Sequence, residues 1–289
     1  YRWRNGDPVI TTAIMAICIV VWAIEAVLFL VWPEGGNAFV NAGMLLPATA
    51  VRHPWTFITS MFLHQPTSLW HILFNMLWLY WFGALFLYFF SGKHLRGLYI
   101  VGGICGGLLY MISYNVFPYF RPMTAYSTMV GASASVLAIV VATAYREPNY
   151  PVRLLFFGNV RLKYLALIVV LTDLLFITSS NAGGHIAHLG GALAGLWFAA
   201  SLNKGKDITS WVNKALDAIA ALFNAKTWKR KPKMKVHYGN NTRQNDYDYN
   251  ARKKAQSDEI DRILDKLKKS GYESLTTEEK KSLFDASKR

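Results

Sequence analysis

The sequence is poor in cysteine and in charge. Its 289 residues include two cysteines, and charged side chains make up only 17% of the chain. Cys18 and Cys105 are too few for a disulfide-rich scaffold, and both lie in apolar runs, where a lone thiol usually acts as a small hydrophobic side chain. Because 53% of the residues are hydrophobic, the composition also excludes an intrinsically disordered chain.

Acidic residues are scarce relative to basic ones, 17 against 31, which gives a net charge of +14. Ten of the basic and five of the acidic residues lie in 1–202, which leaves 21 and 12 for 203–289. The basic balance therefore belongs mostly to the last third of the chain. Positive charge alone would suit a nucleic-acid partner, but together with so apolar a composition it favours a membrane protein, and no nucleic-acid partner is expected.

Six apolar segments in the first two thirds are long enough to cross a bilayer, which takes about 20 residues. They are residues 9–32, 69–90, 95–113, 127–145, 162–180 and 184–202. Backbone polar groups in lipid must be satisfied within their own segment, so each is expected to be a helix. The sequence thus predicts an all-α membrane protein, a six-transmembrane-helix bundle over 1–202 with a cytoplasmic basic helical tail.

The positive charges of the loops predict the orientation of this bundle. With the N-terminus inside, the cytoplasmic pieces before the tail hold eight Lys and Arg residues, whereas the outside loops hold only Arg52 and Arg121. This asymmetry follows the positive-inside rule. We therefore expect an integral membrane protein with both termini inside, located in a bacterial cytoplasmic membrane.

Two further regions follow the bundle. Residues 203–236 place apolar side chains on one face of a helix over 208–223 and then continue into KTWKRKPKMK. This pattern suits either a helix on the inner membrane surface that contacts anionic lipid or the ordinary basic flank of a last span. Residues 237–289 are expected to be a linker, to 255, followed by two short charged helices, the second opened by a capping box of Thr276 and Glu279.

Several polar residues fall at a similar depth in five different spans. Counted at about 1.5 Å per residue from the outer span ends, they lie within roughly 10 Å of the outer surface. They are Glu25, His71, Asn75, Ser133, Asp173 and His188. Polar and ionisable residues inside spans are costly and commonly functional, so a wet polar site that opens outward is expected.

The residue types in this layer suit hydrolysis. A serine hydroxyl becomes a nucleophile when a histidine within hydrogen-bond reach takes its proton, and an asparagine and a second histidine can donate to the oxyanion that forms. Ser133 follows Gly131 in VGASAS, where a helix opening would offer free N–H groups. Gly-x-Ser in a membrane helix also occurs as a simple packing motif, and spacing alone leaves both readings open.

Three motifs together resemble the rhomboid family of intramembrane serine proteases. They are HILFN at 71–75, GASAS at 131–135 and AHLGGALAG at 187–195, on the second, fourth and sixth predicted spans. The resemblance implies a dyad of Ser133 as nucleophile and His188 as base. It further implies that His71 and Asn75 stabilise the oxyanion, with Gly131 at the same subsite. Gly191 and Gly195 give the sixth span a bare face on which the fourth can pack.

The remaining polar residues are expected to have supporting roles. His185, one turn before His188, is expected to be a hydrogen-bonding neighbour or an interface group rather than a catalytic residue. Glu25 and Asp173 could each be protonated or hydrate the site. For Asp173 a structural hydrogen bond is expected, in preference to a role as the third member of a triad that orients His188, since nothing in the sequence places it beside that residue. The His-Glu-x-x-His pattern of zinc proteases is absent, and neither a metal site nor a cofactor is predicted.

Two functions fit these observations. The first is a serine endopeptidase that hydrolyses peptide bonds of transmembrane-helix substrates near the outer membrane face. The second is a catalytically silent rhomboid-like protein that binds transmembrane helices. Because silent relatives lack the serine or the histidine and this chain has both, the protease is the preferred hypothesis. The sequence carries no prediction of oligomeric state.

Overall fold

The computed structural model describes residues 9–154, 158–223 and 242–287. The chain divides into two compact units, residues 1–227 and 228–289, and each is described by itself. The first unit contains nine helices within the described residues: α1 Val9–Val31, α2 Pro33–Gly43, α3 Thr56–Thr59, α4 Leu69–Phe89, α5 Gly92–Val116, α6 Ser133–Arg146, α7 Leu162–Leu175, α8 Ala182–Asn203 and α9 Ser210–Phe223. A two-stranded antiparallel hairpin, β1 Pro151–Leu154 and β2 Gly158–Arg161, connects α6 to α7.

The first unit is mostly helical, and its helices have the length and the apolar surface of a membrane protein. Four of its helices, α1, α4, α5 and α8, are long and apolar enough to cross a bilayer. Apolar side chains on the outer faces of α1 and α7 are exposed, for example Val20 and Val27 on α1 and Ile168 and Leu175 on α7. Because such surfaces are stable only in an apolar solvent, the unit is that of an integral membrane protein.

The remaining two predicted spans form shorter helices. The segment predicted as 127–145 is helical only from Ser133 to Arg146, 14 residues, because residues 129–131 are tied to another part of the chain and Gly131 has a φ of +126°. The segment predicted as 162–180 ends at Leu175, where a run rich in Ser, Thr and Asn favours a loop. The predicted helical bounds are wrong at these two ends.

Helix α6 occupies the centre of the bundle. Its residues from Ala134 to Ala144 are all buried, and it packs against α4, α5, α7 and α8. Fourteen helical residues span about 21 Å, some 9 Å less than the hydrocarbon core of about 30 Å. If exposed Arg146 marks one face of the membrane, Ser133 at the other end of α6 therefore lies well below the opposite face.

Helix α9 confirms the predicted helix over 208–223. Val212 packs in a small apolar cluster with Val101 of α5 and Ala194 of α8. Arg96 of α5 donates hydrogen bonds to Asn213, at 2.6 Å, and to Asp217, at 2.6 Å. These contacts make α9 part of the first unit. The polybasic stretch over 226–235 lies outside the described residues.

The described residues of the second unit form two polar α-helices, α10 Thr242–Ser270 and α11 Thr277–Ser287, with a short 3-10 helix, Tyr272–Ser274, between them. The linker expected over 237–255 is therefore wrong from residue 242 onward, since a 29-residue helix without internal Pro or Gly replaces it. The capping box is confirmed: the Thr276 amide donates to Glu279 at 2.8 Å and the Glu279 amide to Thr276 Oγ1 at 3.3 Å. Hydrogen bonds from Lys266 and from the Thr276 amide lower the pKa of Glu279 to about 2.

Candidate active site

A cavity of about 1000 Å³ opens beside the start of α6. Four residues that the sequence analysis selected line it together, namely Ser133, His188, His71 and Asn75. They come from three helices, α6, α8 and α4. The loop before α4, the extended segment before α6 and the loop before α8 complete the wall. The structure therefore brings the predicted nucleophile, base and oxyanion donors to one concave surface.

Ser133 is the first residue of α6, and the preceding segment determines this position. Leu45 and Met129 exchange two backbone hydrogen bonds, of 3.0 and 2.9 Å, and the amide of Gly131 donates to the Ser60 carbonyl at 2.9 Å. These contacts hold the chain extended until the helix begins. The first N–H groups of a helix have no partner within it and carry the positive end of its dipole, so the Ser133 amide is a donor for an anion beside the hydroxyl.

Gly131 does not line the cavity but lies directly behind it. Its φ of +126° disfavours any other residue. A methyl group added there would lie 2.9 Å from Nε2 of His71 and 3.8 Å from Oγ of Ser133. Nε2 of His71 and Oγ of Ser133 therefore both lie close to Gly131. A side chain at position 131 would crowd Nε2 of His71 and contact Oγ of Ser133, and a contact between Gly131 and a substrate stays a prediction.

His71 and Asn75 lie one turn apart on α4. The Ser68 side chain caps this helix by accepting a hydrogen bond from the His71 amide at 3.3 Å. The amide of Gln65 donates to Nδ1 of His71 at 3.4 Å, which leaves the ring proton on Nε2, the atom beside Gly131. Asn75 donates one N–H to the His71 carbonyl at 2.8 Å and keeps a second N–H for the cavity.

His64, in the loop before α4, also lines the cavity. Its ring is fully buried and lies 5.3 Å, between centroids, from that of His71. Burial, together with the neighbouring His71, lowers the pKa of His64 to about 4. The ring is therefore neutral at physiological pH and adds no charge beside His71. The signal that could have found it is its place in FLHQPTS, seven residues before His71.

His188 is held by a carboxylate. Nδ1 of His188 lies 2.8 Å from Oδ1 of Asp173, and Nδ1 of His185 lies 2.8 Å from the same oxygen. When the carboxylate is ionised it only accepts hydrogen bonds, and both rings then carry their proton on Nδ1. Nε2 of His188 is then a free acceptor. The sequence analysis left open whether Asp173 reaches His188, and the structure places them in contact; His185 is the hydrogen-bonding neighbour that was expected.

Glu25 shares the predicted depth but not the cavity. Its side chain is fully buried on α1 and is not among the residues that line the cavity. Of the six polar residues in the predicted layer, five therefore lie close to one another beside the cavity, and Glu25 lies apart from them. Depth along a span predicts a layer, whereas the rotation of each helix decides which side chains face the same space.

The helices that carry the serine and the histidine, α6 and α8, pack closely against each other. Gly191 lies against the carbonyl oxygen of Ala134, and Gly195 lies one turn further on against that of Ala138. A Cβ at either position would overlap these oxygens. The predicted packing of the two glycines on the fourth span is confirmed, and it allows the backbones to approach as small residues do in membrane bundles.

These features define a helical membrane protein in which a serine and a histidine line one cavity and a carboxylate contacts the histidine. A family model, the Rhomboid domain, matches residues 51–204, which is more than half of the chain. The chain belongs to the rhomboid family. A second match, over residues 244–289, is to a family of unknown function (DUF6576), and it covers most of the second unit.

One curated relative is "RHOMBOID-like protein 12, mitochondrial" from Arabidopsis thaliana. It is 31% identical over 160 residues, which cover 52% of this chain and 47% of the relative. The chain thus spans about half the length of this relative. The similarity supports membership of the family.

Proposed function

We propose that the protein is an intramembrane serine protease that hydrolyses peptide bonds of transmembrane substrates near the outer membrane face. The observation that carries the proposal is the convergence of Ser133, His188, His71 and Asn75 on one cavity. The position of Ser133 at the start of a short helix supports it further, because water can reach such a residue only through a cavity of this kind.

In the acylation step, Oγ of Ser133 attacks the carbonyl carbon of the substrate while Nε2 of His188 takes the hydroxyl proton. The tetrahedral intermediate carries a negative oxygen. Nε2–H of His71, the free N–H of Asn75 and the Ser133 amide are the donors for it. When the intermediate collapses, the C–N bond breaks and the protonated His188 gives its proton to the leaving amine.

Deacylation repeats these steps with water as the nucleophile. His188 takes a proton from the water, the hydroxide attacks the acyl-serine carbonyl carbon, and the same donors stabilise the second oxyanion. The Ser133 oxygen then leaves and recovers the proton from His188, which releases the carboxyl product. No cofactor is needed, because each proton that His188 takes is returned within the same step.

Asp173 is proposed as a positioning residue for this base. Its Oδ1 accepts the Nδ1 proton of His188, which fixes the tautomer whose Nε2 can accept from Ser133. The carboxylate also stabilises the imidazolium that forms on acylation. His188 would then belong to a serine–histidine–aspartate triad rather than to a serine–histidine dyad.

Substrates are proposed to enter from the side, between α4 and α7. Phe74 and Trp78 of α4 and Val169 of α7 line the same cavity, yet these two helices scarcely pack against each other within the described residues. An apolar gap of this kind suits a transmembrane helix. Residues that destabilise the substrate helix should favour cleavage, because an intact helix keeps its carbonyls hydrogen-bonded.

The orientation and the lipid contacts are also part of the proposal. Both termini are placed inside by the distribution of Lys and Arg among the loops. The cavity beside Ser133 then opens toward the outer side, and the basic segment after α9 can contact anionic lipid on the inner side.

Covalent labelling tests the proposed function. A fluorophosphonate reagent should modify the full-length protein in detergent, and mass spectrometry should locate the adduct on Ser133. His188→Ala should abolish the adduct, since the hydroxyl then has no base. If the folded protein is not labelled and cleaves no substrate, yet still binds transmembrane helices, the catalytically silent alternative is correct and the protease proposal fails.

The variant Asp173→Asn tests the positioning role. The amide keeps an oxygen that can accept from His188 but loses the negative charge, so kcat should fall about tenfold or more. KM should not change appreciably, because Asp173 does not line the cavity, and the melting temperature should change little, because the amide oxygen can still accept from both histidines. Kinetics on a model transmembrane substrate and thermal unfolding measure the two effects.

Glu25→Gln is the matched control for this variant. It also replaces a buried carboxyl of a transmembrane helix by an amide of the same shape, but one outside the cavity, and kcat should stay within about twofold of the wild type. Equal losses of kcat in both variants, or a loss that follows the melting temperature, would assign Asp173 a purely structural role.

A further inference from the structure

Asp173, His185 and His188 form a compact group of metal-ligand types at the edge of the active site. One ligand atom of each lies within 4.8 Å of the others, and Oδ1 of Asp173 is already 2.8 Å from both Nδ1 atoms. The second carboxylate oxygen, Oδ2 of Asp173, is buried without a hydrogen-bond partner in the described part of the chain. Asp173 itself is only 4% exposed.

The donor set suits Zn²⁺ and similar transition-metal ions. Two imidazole nitrogens and one carboxylate oxygen form a known three-ligand zinc set, in which water takes the fourth position. Zinc–ligand distances near 2.0–2.1 Å place tetrahedral ligand atoms about 3.3 Å apart. The two O···N separations would therefore open by only about half an ångström, which side-chain rotation can supply.

Access to the group is available from the cavity. Asn181, Gly184 and His188 line the cavity on this side, and the side chains of His185 and His188 are 18% and 23% exposed. A hydrated ion that enters the cavity can therefore reach His188, and through it the edge of the group. The cavity would also hold the water on the fourth position.

We propose that Asp173, His185 and His188 bind a zinc-like divalent ion and that the bound ion switches off the protease. To bind the metal through Nδ1, the His188 ring must carry its proton on Nε2. The ring stays neutral, but Nε2 becomes a donor and can no longer accept the proton of Ser133. Metal binding and general-base catalysis exclude each other. The inhibitory consequence rests on the proposed function, whereas the metal site does not.

Sequence reasoning could not find this group. Zinc motifs are recognised by ligands at short, regular spacing, and only His185 and His188 are close along the chain. Asp173 belongs to a different helix, α7, and reaches the histidines because α7 packs against α8.

Cobalt binding tests the site without any need for activity. The full-length protein, purified without a histidine tag and treated with chelator, is titrated with Co²⁺ in detergent. The wild type should show the visible absorption bands of tetrahedral cobalt at a stoichiometry of one, and Zn²⁺ should abolish them. His185→Gln should lose the bands, and the control His53→Gln, an exposed loop histidine outside the group, should retain them.

The activity measurement tests the consequence. Zn²⁺ should inhibit cleavage by the wild type and by His53→Gln, and chelator should restore it. His185→Gln should need at least ten times more Zn²⁺ for the same inhibition. Its rate without metal should stay within about twofold of the wild type, since the glutamine amide can still donate to Asp173 and His185 does not line the cavity.

Any one of three results would overturn the inference. The wild type shows no cobalt bands, the bands persist in His185→Gln, or Zn²⁺ inhibits the wild type and His185→Gln at equal concentrations. If the protein proves to have no protease activity, the cobalt titration still decides whether the metal site exists. The failure of the proposed function and the failure of the metal site are thus distinguishable.

Discussion

Ser133→Ala is expected to reduce cleavage of a transmembrane substrate by at least about 1,000-fold, which corresponds to roughly 4 kcal/mol of transition-state stabilisation. Alanine has no hydroxyl to form the acyl intermediate, and no other residue of the mechanism can replace it. The oxyanion donors and His188 would remain, but they stabilise charge that no longer forms. Cleavage of a purified model substrate in liposomes, followed by gel and mass spectrometry, measures the loss.

The variant should remain folded. Ser133 is the first residue of α6 and faces a cavity, so the lost hydroxyl leaves no new void in packed protein. Alanine also has a higher helix propensity than serine. The melting temperature should therefore equal or slightly exceed that of the wild type. This measurement separates loss of the nucleophile from loss of structure.

Ser135 offers a matched control two residues further along the same helix. Its side chain is fully buried, and its Oγ has no hydrogen-bond partner in the described part of the chain. Ser135→Ala removes this unsatisfied group and should leave cleavage within about threefold of the wild type. Substantial cleavage by Ser133→Ala, or equal inactivation by both variants, would contradict the assignment of Ser133 as the nucleophile.

The sequence predicted which side chains share the cavity better than it predicted the bounds of the helices that carry them. Apolar runs predicted helices at every segment, and the depth of the polar residues predicted a layer that contains Ser133, His71 and His188. Hydropathy, however, cannot show where α6 begins. That boundary depends on hydrogen bonds from Leu45 and Ser60, which are some 70 to 85 residues away in the sequence and belong to a loop.

The sequence named Asp173 as one possible partner of His188 but could not establish the contact. Asp173 is placed by the rotation and packing of α7 against α8, and no local pattern encodes that rotation.

The tail illustrates a different limit. Residues 242–255 lack the apolar periodicity that marks a helix packed on a core, yet they continue a helix of 29 residues. Here the absence of Pro and Gly was the more informative signal.

Gly191→Ala is expected to lower both activity and stability, although alanine usually stabilises a helix by about 1 kcal/mol relative to glycine. The added Cβ would overlap the carbonyl oxygen of Ala134. This oxygen belongs to the backbone of α6 and cannot rotate away, so α6 and α8 must separate. Overpacking of this kind costs about 1–3 kcal/mol, and thermal unfolding of the full-length protein in detergent measures it.

The activity loss follows from where these helices carry the catalytic groups. Ser133 precedes Ala134 by one residue on α6, and His188 precedes Gly191 by three on α8, so a separation at Gly191 moves the nucleophile away from its base. A displacement of about 1 Å can cost a hundredfold in rate, and kcat should fall by about that factor. The Ser133 adduct with fluorophosphonate should decrease in parallel.

Gly92→Ala is the matched control for this loss. Gly92 is the first residue of α5, and a Cβ there would meet the end of the Ile10 side chain, which can change rotamer. This substitution should leave cleavage unchanged and the melting temperature equal or higher. If Gly191→Ala lowers the melting temperature and cleavage while Gly92→Ala lowers neither, the activity depends on the close approach of α6 and α8. Unchanged cleavage and stability in Gly191→Ala would show that the serine and the histidine are held together in another way.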